Sequence, residues 1–489
     1  MNPSNSGVNR QWILAGAVVA CCLLLLALRP ALGPKSLFIN FDAFYCGGAA
    51  LDHGADPYRA EPLGSCERAP KPLGLYANPW PSLALPAPLP PYALALFGLL
   101  ARLPYGPAAA IWALAGLTAL GLAAVGLTRL TGLSPGVSVA AVALSVGYAA
   151  FPVGQVMPVV FAAVVLSAQA MARGDDRRAA LLAPLAMLEP HVGLPCCLGL
   201  FMWRPRTRPI LLAAAGVCLA IGIAAAGPAL SFEYLAAVLP AHALAEAGNV
   251  AQLSTTYVAQ RFGASPQAAV YAGELWYAAM VALGVWLGPK LARRTNRPAF
   301  IGLIPPAFAV IGGPFIHVVQ VAVALPAALL LWQAAPARRR VLGIAIILLA
   351  IPWVRFETLG ALFPVLAAIV IAVLVVELVA KSPISLAVGC IGGIGFIVLL
   401  WSWQLHNPFI DPTPALDAHN APAAFADAGW AIYIRAASFG NAALYELAKL
   451  PTWLGVALFA QCAIADIVTA NQPQRKRARA PRISFRETP

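Results

Sequence analysis

Apolar runs of about 20 residues recur along the whole chain, separated by polar connections. A helix of that length crosses the hydrocarbon core of a bilayer. The runs fall at approximately 12–32, 108–128, 136–153, 157–172, 209–226, 268–287, 299–316, 318–333, 341–356, 359–380, 384–403 and 452–470. The pattern predicts an all-α integral membrane protein with about twelve transmembrane helices. The first run, Trp12 to Leu28, is long for a signal-peptide core and lacks a clear small-residue cleavage site, so it reads as a retained helix.

Composition agrees. Of 489 residues, 61% are hydrophobic and 10% charged, and mean hydropathy is +0.78. A soluble domain carries roughly 25% charged residues. The net charge of +13 does not indicate nucleic acid, because the basic residues sit in short clusters between apolar runs. The clusters are Arg10; Arg129; Arg173, Arg177 and Arg178; Arg204, Arg206 and Arg208; Lys290, Arg293, Arg294 and Arg297; Arg338 to Arg340; Lys381; and a tail from Arg475 to Arg486. One threading places them all on one side, which the positive-inside rule makes cytoplasmic. Both termini then lie in the cytoplasm, and the connections 33–107, 227–267 and 404–451 face outward. Residues 1–470 form one membrane body. The basic tail 471–489 is expected to be disordered beside anionic headgroups.

Two apolar segments fit only if they do not cross. Residues 79–104 open with Pro79, Pro81, Pro86, Pro88, Pro90 and Pro91. Tyr92–Leu100 is expected to be a helix lying on the outer surface, started by proline where helical amides lack partners anyway. Ala179–Met202 is long enough for one crossing, yet arginines precede and follow it. A re-entrant hairpin broken at Glu189-Pro190 resolves this. Irregular backbone at such depth persists only inside protein or beside a water-filled cavity.

Seven of the nine cysteines lie in apolar stretches and read as small core residues. Cys46 and Cys66 lie in the first outward connection and could pair if it faces an oxidising compartment. Asp42, ten residues past the first helix, could act as a general base roofed by aromatic residues. It could equally cap a helix over Ala43–Leu51. Asp56-Pro57-Tyr58 reads as a turn after a helix ended by Gly54. Gln155 lies at the outer end of a span, as a helix-end hydrogen-bonder or a sugar or phosphate contact. Glu189 and His191 flank the hairpin tip, where ionisable residues are functional candidates. Asn249, Gln252 and Ser254 form a polar stretch. His317 follows Gly312-Gly313-Pro314 and could donate to phosphate or share a proton near neutral pH. No Walker loop and no paired-histidine zinc motif is present.

In order along residues 36–335, these marks resemble glycosyltransferase family 87. They are Asp42 with Tyr45 and Gly48-Ala49-Ala50, Gly54-x-Asp56-Pro57-Tyr58, the proline-opened helix ending at Leu103-Pro104, Trp112, Gly154-Gln155, the hairpin with Pro190, the Asn249/Ser254 stretch and His317. The resemblance implies a GT-C fold with surface helices at 43–53 and 92–100. It implies a metal-independent, inverting transfer of a sugar (mannose-like or arabinose) from a polyprenyl-phosphate donor, with no cofactor. Asp42 would be the general base and His317 would steady the leaving phosphate. Tyr45, Asp56, Tyr58, Gln155, Glu189, His191, Asn249 and Ser254 would line the substrate site. The acceptor would be a glycolipid, glycan or protein hydroxyl on the outer face of a cell membrane, such as a bacterial inner membrane. The family usually has Lys-Pro at the hairpin, where this chain has Glu189-Pro190. A transporter or flippase for lipid-linked sugars is the second reading, although only one broken hairpin is visible. A non-catalytic membrane scaffold is the third.

Overall fold

The computed structural model describes residues 38–69, 71, 83–355, 362–379, 383–406, 424–438 and 442–470. The expected span 12–32 and the tail 471–489 lie outside the described residues. Apart from a single bridge between Arg59 and Phe425, the described residues form helices, turns and irregular connections.

The first outward connection holds three helices: α1 (Ile39–Asp52), α2 (Ala60–Arg68) and α3 (Pro91–Ala101). The helices expected at 43–53 and 92–100 are α1 and α3. Gly54 takes a positive φ of 72° and its amide bonds to the Leu51 carbonyl, which ends α1 as the sequence predicts. Proline occupies the first turn of α3, where its missing amide costs nothing.

The body follows with α4 (Tyr105–Thr131), α5 (Pro135–Val153) and α6 (Met157–Ala172). Next come α7 (Asp176–Leu182), α8 (Pro190–Trp203) and α9 (Pro205–Glu246). After α10 (Thr255–Arg261) and α11 (Pro266–Thr295), α12 (Phe300–Ala309) is short, and an irregular turn leads to α13 (Val318–Ala334). α14 (Pro336–Arg355) is bent 115° from α13. The remainder is α15 (Leu362–Leu374), α16 (Pro383–His406), α17 (Ala426–Ser438) and α18 (Ala442–Ala470). By length and composition α4, α5, α9, α11 and the Ala443–Val468 part of α18 can each cross a membrane, and the bent α13–α14 pair makes a sixth. Two other expected spans, α6 and α12, are apolar helices of 16 and 10 residues. At 1.5 Å per residue these reach about 25 Å at most, short of a hydrocarbon core of about 30 Å.

α9 departs from expectation. The run 209–226 continues through a kink at Gly227, where φ is 73°, and stays helical to Glu246. Half of the second outward connection is therefore helix. Leu212, Leu219, Phe232 and Leu235 are exposed along α9, an apolar surface suited to lipid rather than water.

The segment 176–204 folds back on itself. As one straight helix it would be about 42 Å long, yet Arg204 Nε lies 3.1 Å from Asp176 Oδ1. The reversal is at Glu189, whose backbone is non-helical. Gly193 then packs on the carbonyl of Ala186.

Long-range contacts pair ends that the charge pattern assigns to one side. Arg294 bonds to Asp466 at 2.8 Å among the basic connections. The three long connections meet one another. Arg59 pairs with Glu233 at 2.5 Å and lies over the Phe425 ring, and the Ala60 amide donates to the Ala424 carbonyl.

Candidate active site

α1 starts at Ile39, so Asp42 sits inside its first turn and caps nothing. The capping alternative for Asp42 is thereby overturned. Its side chain lies near Tyr45 and Tyr105, whose rings pack with Phe41, and Phe41 packs in turn on Phe97 and Trp112. Asp42 is fully buried, with Oδ1 3.2 Å from Lys71 Nζ. Among the described residues the Lys71 ammonium is its charged partner. Burial pushes its titration up to about 7, against the opposing charge and hydrogen bond of Lys71. A buried carboxyl poised near neutrality suits proton transfer.

Lys71 is positioned from α2. A disulfide joins Cys46 on α1 to Cys66 on α2. The Lys71 ammonium donates to the Cys66 carbonyl at 2.9 Å and lies 4.9 Å from the Tyr105 ring centroid. Glu67, beside this pair, accepts the Leu85 amide at 2.9 Å and so ties α2 to the stretch leading into α3.

The second cluster is built around the turn before α13. A side chain at Gly312 would lie 1.9 Å from the Trp276 ring, so only glycine lets this turn press against α11. His317 follows. Its amide donates to Gln320 Oε1 at 2.6 Å, and Gln320 Nε2 donates to Glu189 Oε1 at 3.2 Å. His191 Nδ1 lies 3.3 Å from the same Glu189 oxygen. On the other flank, Gln252 Nε2 is 3.0 Å from His317 Nε2 and donates to Glu246 Oε2 at 2.6 Å. Asn249 and Trp430 also donate to Glu246, at 2.7 and 2.6 Å. His242 meets Asp427 at 2.7 Å, and the Phe315 ring stands edge-on to both His191 and His242.

Thus five residues singled out in the sequence, Glu189, His191, Asn249, Gln252 and His317, meet in one network. The others have local structural partners. Tyr45 donates to the Leu103 carbonyl at 2.9 Å. Asp56 accepts the Tyr58 amide and pairs with Arg59, closing the predicted turn. Tyr58 donates to the Leu89 carbonyl, and Ser254 caps α10 through the Tyr257 amide. Gln155 closes the turn at Gly154 with a backbone bond to Ala150. Sequence reading did not place Lys71, His242, Glu246, Gln320, Asp427 or Trp430 in a site.

Asp42 and His317 belong to separate clusters held by the same two segments. The far half of α9 meets α1's neighbourhood through Glu233–Arg59 and His317 through Glu246. The start of α17 does likewise, because the Ala426 amide donates to the Tyr58 carbonyl while Asp427 and Trp430 serve the histidine cluster.

No curated protein and no solved structure matches the chain. A family model does, over residues 89–311. This stretch contains Gln155, Glu189, His191, Glu246, Asn249 and Ser254. It stops short of Asp42 and His317 on either side. The matching model is that of glycosyltransferase family 87, and over residues 89–311 the chain is similar to this family.

Proposed function

We propose that the protein transfers a mannose-like or arabinosyl unit from a polyprenyl-phosphate donor to an acceptor hydroxyl on the outer face of the membrane. The observation that carries this reading is Asp42, a fully buried carboxyl beside the Lys71 ammonium with a titration near 7. The acceptor oxygen attacks the anomeric carbon from the face opposite the phosphate. Its proton passes to the Asp42 carboxylate. The bond from the anomeric carbon to the phosphate oxygen breaks, polyprenyl phosphate leaves with the electron pair, and the configuration inverts. His317 presents its imidazole to the departing phosphate. The step uses no metal. An acceptor hydroxyl reaches Asp42 by taking the place of the Lys71 ammonium. The disulfide in the first connection supports placing this face in an oxidising compartment. The meeting of all three outward connections supports a single outer layer.

Proteoliposomes holding the protein, a labelled polyprenyl-phosphate sugar and EDTA should release free polyprenyl phosphate and yield a glycosylated acceptor. Movement of intact donor across the bilayer without a new glycosidic bond would instead establish the flippase reading.

Lys71 sets the working pH. Its charge holds the Asp42 titration down against burial. In Lys71→Met the titration should rise above about 7. The acid limb of the kcat/KM profile should then move to higher pH, because the base must be ionised to act. An unmoved limb would separate Lys71 from the base.

A further inference from the structure

We propose that the Cys46–Cys66 disulfide is a redox clasp on the base: a dithiol entering the pocket beside it reduces the bond, and the Lys71 ammonium then leaves Asp42. Three observations carry this. First, the disulfide and the ion pair share their supports. Asp42 and Cys46 lie one helical turn apart on α1. Cys66 is near the end of α2, and the Lys71 ammonium donates to the carbonyl of Cys66 itself at 2.9 Å. The crosslink therefore joins the two segments that bring Lys71 Nζ to 3.2 Å from Asp42 Oδ1.

Second, the other ties of α2 run elsewhere. α2 has nine residues, too few to be firm as a helix without support. Its apolar support is a small cluster of Cys46, Leu63, Ala84 and Ala426, in which Cys46 itself takes part. Glu67 binds the Leu85 amide in the stretch before α3, and Arg68 pairs back to Glu61 within α2. Neither bond reaches α1. α1, in contrast, is fixed independently, because Gly48 lies against the Gly98 backbone of α3. Opening the disulfide thus loosens the end of α2 and Lys71 while Asp42 keeps its place.

Third, the disulfide can be reached. Cys46 is buried, but Cys66 is only half-buried. A cavity of about 380 Å³ lies beside the bond, and its lining includes Cys46, Cys66, Ala49, His53 and Ser65. His53 and Ser65 are exposed. One thiolate of the dithiol attacks Cys66 Sγ, and Cys46 leaves as a thiolate and takes up a proton. The second thiolate closes on the mixed disulfide and releases Cys66, which is protonated in turn. Two electrons and two protons pass to the protein, and the dithiol becomes a disulfide. In an oxidising compartment the clasp stays closed until such a dithiol is supplied.

The labelling part of the test is independent of the glycosyl-transfer reading, and only its kinetic part rests on it. The full-length protein is treated with dithiothreitol in detergent. Mass spectrometry then reads both the state of the disulfide and the acylation of each lysine by acetic anhydride. The Lys71 side chain keeps 5% exposure with the clasp closed, and its acylation should speed up by about tenfold or more once the bond is open. Lys449, fully buried on α18, should stay unlabelled in both states and so reports that the body is intact. The double variant Cys46→Ser, Cys66→Ser should label like the reduced protein, with no further change on adding dithiothreitol. If that variant does not fold, reduction of the folded parent decides the matter. In release of polyprenyl phosphate from a labelled lipid-phosphate sugar, the acid limb of the reduced protein should move to higher pH, as in Lys71→Met. A disulfide that survives dithiothreitol in the folded protein would overturn the proposal. So would unchanged Lys71 labelling after reduction, or an unmoved acid limb in a reduced protein that still turns over. A rise in labelling shared by Lys449 would make the bond a general staple and would overturn it as well. If the parent protein turns over no lipid-phosphate sugar, the functional reading fails while the labelling result still decides the clasp.

Discussion

Asp42→Asn is expected to reduce sugar transfer by about 10²–10⁴-fold, the usual worth of a positioned general base, and to leave the protein at least as stable as before. Most active-site losses accompany a stability loss. Here the sign reverses for a physical reason. The Asp42 titration lies near 7 in the folded protein, against 3.8 for an unburdened aspartate. A raised carboxyl titration means that folding takes up a proton. The ionised side chain therefore costs stability, and the cost grows between about pH 4 and 7 and is full above pH 7. At about 1.4 kcal/mol per pH unit, the gross cost is about 4 kcal/mol. Asparagine removes that cost but leaves the Lys71 ammonium without its counter-charge, which offsets part of the gain. Thermal unfolding in detergent at pH 8 should thus give a melting temperature equal to or above that of the parent, with transfer lost. A lower melting temperature at pH 8 would show that Asp42 is a structural ion-pair member. Retained transfer would show that another group takes the proton.

Gly48→Ala should produce the largest structural loss. α1 and α3 touch at this residue, and a Cβ there would lie 2.4 Å from both the Gly98 nitrogen and the Phe97 carbonyl carbon. Those are backbone atoms, so no rotamer change relieves the clash. The two helices must separate. Overpacking of this kind costs about 1–3 kcal/mol and sometimes more. The Phe41 and Phe44 rings of α1 pack across the same contact on Phe97, and Phe97 on Trp112; the clash therefore displaces the helix that carries Asp42, and transfer should fall together with the melting temperature. Gly216→Ala is the matched control. It lies on helical α9 with no atom within 4 Å of its added Cβ, and alanine there should leave the melting temperature unchanged or slightly raised. Equal behaviour of the two variants would mean that the α1–α3 contact is not as close as described.

Much of the protein was legible in the sequence because its causes are local. Hydrocarbon demands helices of a set length, so apolar runs announced the body. Charges resist crossing, so the arginine clusters assigned connections to one side, and Arg294 with Asp466 and Arg204 with Asp176 are contacts between such connections. Proline, glycine and serine gave the helix limits at Pro91, Gly54 and Ser254. The fold-back at Glu189-Pro190 was legible for the same reason, since two basic ends could not lie on opposite sides. The continuation of α9 past Gly227-Pro228 was not, because those residues usually end a helix and here only bend it.

The site was decided by tertiary structure. Asp42 had two sequence readings of similar merit. Only the start of α1 at Ile39, set by packing against α3 and the Gly154 turn, removed it from the capping position. Lys71 is one basic residue in a polar connection, and nothing local says that its ammonium closes over a carboxylate 29 positions earlier. Glu246 with Gln252, His317 and Trp430 come from three separate stretches. Their union depends on a turn at Gly312 pressed against α11 and on α17 folding over α9. Helix formation is settled within a few residues by backbone hydrogen bonding and hydrophobicity. The charge and proton affinity of a buried group depend on what the rest of the chain brings within about 4 Å of it.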